Sequence, residues 1–79
     1  VQVDDRLALM LYPNPAEAYL NVFMNEWEQE TTICVYDLNG QTVLTHAVEG
    51  AVTTLSVASL PAGMYIVQVG TRMGKFFKE

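Results

Sequence analysis

With one cysteine, one histidine and four basic residues, this 79-residue chain lacks the parts from which most catalytic and phosphate-binding sites are built. Cys34 alone permits no internal disulfide, so the fold cannot depend on a crosslink. One cysteine and one histidine, His46, cannot close a tetrahedral zinc site. A Cys34–His46 nucleophile pair would need the two to face each other across a hairpin, and an open sheet face supplies neither oxyanion donors nor a pocket. The net charge of −5 disfavours a nucleic-acid partner, whose affinity comes largely from Lys and Arg replacing counterions. No apolar run approaches the roughly 20 residues that span a bilayer as a helix, and no glycine-rich phosphate loop is present. No cofactor is expected. The sequence starts at Val1 without a methionine or a charged-then-apolar leader, and is expected to be a piece of something longer.

What is present suits a packed domain. The 51% apolar fraction can fill one modest core, and the 16% charged fraction is low for a disordered chain. The dominant period is two, the signature of half-buried strands. Leu20, Val22 and Met24 point one way while Tyr19, Asn21 and Phe23 point the other; Ile33 and Val35 oppose Cys34 and Tyr36. Leu55 and Val57 share a face, as do Tyr65, Val67 and Val69. With the opening LALMLY, the QTVLTHAVE segment and the closing KFFK, seven strands are expected. Leu20, Val22, Ile33, Val35, Leu55, Leu60, Tyr65 and Val67 are the candidate core.

Turn signals separate these strands. In DLNG, Asn39-Gly40 predicts a type I′ hairpin joining residues 31–37 to 41–49. SLPAG places an apolar anchor, Leu60, before a proline bend, and Gly70 and Gly74 are expected to bracket a last tight hairpin. In YPNP, each proline fixes its own φ and steers Tyr12 and Asn14 out of the helical region, making a stiff corner between two strands. Short strands with frequent turns indicate an all-β fold, a seven-stranded antiparallel sandwich of immunoglobulin-like type, without the Cys…Trp…Cys pattern of antibody domains.

Charge is distributed unevenly. Residues 1–71 hold eight acids against one base, whereas residues 72–79 hold Arg72, Lys75 and Lys78 against Glu79. Asp4-Asp5 and Glu26, Glu28 and Glu30 are acidic clusters, better suited to solvated loops than to calcium. Trp27, between two glutamates, either caps an open end of the core or contacts a partner.

Taken in order, YPNP, VYDLNGQTV, SLPAGMYIVQV and the basic, aromatic GKFFKE resemble the type A C-terminal sorting domain of the type IX secretion system of Bacteroidetes. The resemblance covers residues 11–78. It aligns Tyr12, Pro13, Asn14 and Pro15 with the family's opening motif, Asp37, Asn39 and Gly40 with its central turn, and Leu60, Pro61, Gly63 and Tyr65 with its late motif. Lys75, Phe76, Phe77 and Lys78 match its terminal segment, and Glu79 departs from the usual basic-apolar end. The resemblance implies a non-catalytic secretion signal at the end of a cargo protein. The cargo passes from the periplasm through the outer-membrane translocon to the cell surface, and a sortase-like protease removes the signal. On that basis residues 1–6 are a linker to the cargo, residues 7–79 are the sorting domain, and Lys75 to Lys78 are the recognition candidates. The open edges of a small sandwich also suggest an edge-strand homodimer of the isolated chain. The competing expectations are a carbohydrate-binding or adhesion module using Tyr19, Phe23 and Tyr36 as an aromatic row, and a structural spacer.

Overall fold

The computed structural model describes residues 9–24 and 31–79. Its elements are β1 (Met10–Tyr12), β2 (Tyr19–Phe23), β3 (Thr32–Tyr36), β4 (Thr42–Ala47), β5 (Val52–Ser56), β6 (Gly63–Val69) and β7 (Arg72–Lys78), all strands. They form two antiparallel sheets, ordered β1-β2-β5 and β4-β3-β6-β7, as a seven-stranded sandwich. Expectations for Asp4-Asp5, the 1–6 linker, Trp27 and its glutamates fall outside the described residues.

Period-two patterning sets which side chains meet between the sheets. All eight candidate core residues are buried, joined by Ala16, Met24, Val48, Val57, Val69 and Phe76. Their alternate neighbours Tyr19, Asn21, Cys34, Tyr36 and Ile66 turn away from that core, as a strand with one buried face requires. Leu9, Leu11 and Leu44 pack against its margin. Tyr65 stacks on Phe76 with ring centroids 5.5 Å apart, joining β6 to the last strand inside the core.

Two turn expectations are corrected. Between β3 and β4, the Asp37–Gln41 pair closes a loop of three residues, Leu38 to Gly40: Asp37 N–H donates to the Gln41 carbonyl (3.0 Å) and Gly40 N–H to the Asp37 carbonyl (3.0 Å). Gly40 therefore follows a turn centred on Leu38 and Asn39, with φ of +85°, instead of occupying the second central position of a type I′ turn. The Asp37 carboxylate drives this longer loop by accepting the N–H groups of Asn39 (2.9 Å) and Gln41 (3.0 Å). A register shift in β3–β4 opposite Val35 and Tyr36 leaves Val43 as the extra residue.

The second correction concerns Gly74. Val69 pairs with Arg72, so the last hairpin turns on Gly70 and Thr71 alone, and Gly74 lies inside β7 opposite Val67. A Cβ at Gly74 would lie 3.0 Å from Leu11 Cδ1 and 3.6 Å from Leu9 Cβ. Glycine is there because β1 packs closely over β7, a reason that lies far away in sequence.

Candidate functional site

The opening motif and the terminal segment, remote in sequence, form one structure. After β1 the chain turns through Tyr12–Pro13 and Asn14–Pro15, both cis, and runs alongside the outer edge of β7. Asn14 Oδ1 accepts the Phe77 N–H at 2.9 Å. Ala16 then closes a short parallel bridge, donating its N–H to the Phe77 carbonyl (2.8 Å) and accepting from the Glu79 N–H (2.9 Å). Three backbone groups on the β7 edge that would face water are thereby satisfied. Glu79 contributes through its backbone: its carbonyl also accepts the Lys78 ammonium at 2.8 Å.

Alternation divides the terminal candidates into two pairs. Phe76 is 0% exposed within the core and Lys78 is 7% exposed, whereas Lys75 is exposed and Phe77 is 42% exposed on the outside of the sheet. Lys78 is buried along most of its length, and its ammonium ends at the backbone oxygen of Glu79. It presents no outward charge. Of the four terminal candidates, only Lys75 and Phe77 are exposed.

The late motif has a structural reason for each residue. Leu60 is buried, Gly63 has a φ of +150° that suits only glycine, and the Tyr65 hydroxyl donates to the Pro61 carbonyl four residues upstream. A tyrosine that hydrogen-bonds back to its own entering loop is the corner device of immunoglobulin-like sandwiches. It locks the entry to β6, the strand against which β7 pairs.

The chemical candidates disperse. Ile33, not Cys34, pairs with His46, so Cys34 projects outward while His46 leans to the opposite side of the sheet. The histidine Nδ1 lies 2.7 Å from the Ala47 carbonyl and Nε2 lies 3.8 Å from Glu49 Oε1, an exposed contact. Cys34 instead sits beside Tyr36, and hydrogen bonding to that thiol, followed by its charge and some burial, raises the phenol above the usual tyrosine value. No group of three or more metal-ligating side chains occurs among the described residues. Tyr19 and Phe23 lie on the outer face of the three-stranded sheet and Tyr36 on that of the four-stranded sheet, so the three form no single aromatic row.

The sealed corner, the locked β6 entry and the split terminal strand belong to one pattern. Residues 10–79 match the family described as secretion system C-terminal sorting domain. The chain belongs to that family. No curated protein matches it as a relative. As a C-terminal sorting signal for type IX secretion, the domain acts with that machinery and directs export to the outer membrane, cell surface or extracellular space. The family is one of sorting signals and is not known for enzymes.

Proposed function

We propose that the domain works without catalysis, as a folded address that the export machinery reads in the periplasm. The carrying observation is the joint built by Asn14 and Ala16 on β7, which unites the opening motif with the terminal segment. A signal of this kind is read as a shape, so the motif residues act mainly by fixing Lys75 and Phe77 in place. Tyr12 to Pro15 hold the edge, Asp37, Asn39 and Gly40 set the β3–β4 hairpin, and Leu60, Pro61, Gly63 and Tyr65 set β6.

On this reading residues 1–6 are the linker to a cargo and residues 7–79 the sorting unit, with a sortase-like protease cutting in the linker after transport. Self-association of the isolated chain falls to the edges of the three-stranded sheet, β1 and β5, because β7 is covered at Phe77 and Glu79 and β4 is broken by the irregularity at Val43. Fractionation of cells tests the function. A carrier ending in residues 1–79 should reach the surface or medium, and deletion of residues 10–79 should leave it in the periplasm. Cys34→Ala and His46→Ala should export normally. Surface arrival of the deleted carrier refutes the proposal.

A further inference from the structure

Edges are the usual docking points of a small sandwich, and those of the four-stranded sheet are blunted here. The β7 edge is occupied by Asn14 and Ala16, and β4 carries the irregularity at Val43 together with an imidazole set against the Ala47 carbonyl. Among the described residues, nothing covers the outer face of the four-stranded sheet. Lys75 stands opposite Ile66, which itself stands opposite Tyr36; Phe77 stands opposite Met64. Directly opposed side chains are about 5 Å apart at Cβ, so these form one continuous surface around the lysine. Phe77, Met64 and Met73 are 42%, 39% and 59% exposed.

Charge completes the description. None of β3, β4, β6 and β7 contains an acidic residue, and the other two cations of β7, Arg72 and Lys78, are on its inward-facing side. Lys75 is therefore the one charge that these strands turn outward, a cation within an apolar field on a chain of net charge −5. The other sheet also exposes apolar side chains, at Met10, Tyr12, Tyr19 and Val52, but its strands carry no cation, so the combination of apolar side chains with Lys75 is what sets this face apart.

We propose that this face, and not the β7 edge, is the docking surface for the export machinery, and that its occupant is a protein surface of apolar residues around a carboxylate. A carboxylate meets Lys75 while apolar side chains cover Ile66, Met64, Met73 and Phe77. An ion pair enclosed by apolar contact is shielded from water, so reversing its charge costs more than it would at a wetted rim. The proposal rests on the sorting function, and its test separates the two.

Carriers ending in the full chain are compared by export rate in a type IX-secreting bacterium. The variants are Lys75→Gln, Lys75→Glu and Thr54→Glu, the last placing the same new charge on the other sheet's outer face. Export should fall in the order wild type, Lys75→Gln, Lys75→Glu, the last by about tenfold or more, with Thr54→Glu within about twofold of wild type. Circular dichroism of each purified chain confirms that it is folded. A photo-crosslinker at Met73 should give a protein adduct, lost with Lys75→Glu. Normal export of folded Lys75→Glu, an equal loss with Thr54→Glu, or an adduct to lipid or glycan overturns the proposal. If deletion of residues 10–79 blocks export while Lys75→Glu does not, the sorting function stands and this surface fails. If the deleted carrier is exported, the sorting function itself fails.

Discussion

Two adjacent phenylalanines on one strand provide a direct test of the register of β7. Phe76 is 0% exposed and stacked on Tyr65, while Phe77 is 42% exposed on the opposite face. Truncating a fully buried phenylalanine to alanine costs about 3–5 kcal/mol, because apolar transfer energy is lost and a cavity remains. Phe77 hides little more than half of its surface, and full burial of such a side chain is worth about 1.5–3 kcal/mol, so Phe77→Ala should cost about 1–1.5 kcal/mol. At about 0.05–0.15 kcal/mol per residue, a chain of 79 residues has about 4–12 kcal/mol in total. Phe76→Ala therefore removes a large part or all of the stability, whereas Phe77→Ala leaves at least about 2.5 kcal/mol and a population about 98% folded or better. Urea denaturation followed by circular dichroism measures both. Equal losses, or the larger loss at Phe77, would mean that β7 is slipped by one residue and that every assignment of its inward and outward side chains is inverted. Deleting residues 76–79 together is uninformative about recognition, since it removes a core side chain along with the exposed one.

Other substitutions test individual joints. Gly40→Val should destabilise by about 1 kcal/mol through positive φ alone, because a Cβ there meets nothing within 4 Å, and Gly40→Asn should cost less; thermal melting separates the two. Asn14→Ala should cost about 1 kcal/mol and speed hydrogen exchange at the Phe77 amide, whose acceptor is removed; an unchanged exchange rate would contradict the joint. Tyr65→Phe should cost about 1 kcal/mol by leaving the Pro61 carbonyl without its hydroxyl partner, and a wild-type urea midpoint would argue against that bond. The Tyr36 phenol, raised by the neighbouring Cys34 thiol, should ionise above the ordinary tyrosine value in an absorbance titration and move back towards it in Cys34→Ala. Since its folded value is the higher one, its contribution to stability is complete below the unfolded value and is lost as pH rises through the folded one.

The sequence displayed most strongly whatever is governed by near neighbours. Alternation of Leu20, Val22, Ile33, Val35, Tyr65 and Val67 identified both strands and core, since a strand with one wet face must repeat every two residues. The hairpin at Asn39 and Gly40 was legible in place, but not in type. Asn-Gly fits a two-residue loop, and what lengthens it is the Asp37 carboxylate, whose competing hydrogen bonds depend on loop geometry. Gly74 was misplaced because its reason is Leu11, on a strand of the other sheet. The contact of Asn14 with Phe77 crosses a sequence separation of 63, and neither residue is apolar and buried in a way that periodicity could reveal. Lys78 ran against composition, because a lysine is ordinarily assigned to water and here the phase of Phe76 carries it inward.

The joint at Asn14 and Ala16 also fixes an order of events. Chains emerge from synthesis with their earlier residues first, and the corner after β1 is made long before residues 77 to 79, which supply all of its β7 hydrogen bonds. Until then Ala16 has no β7 strand to bridge, and Leu11 has no Gly74 to cover. A nascent or clipped chain can pair β2 with β5 and β3 with β4 and still lack a closed corner. The corner is therefore a report on the far end of the domain: a chain clipped before Phe77 lacks all three of its bonds to β7.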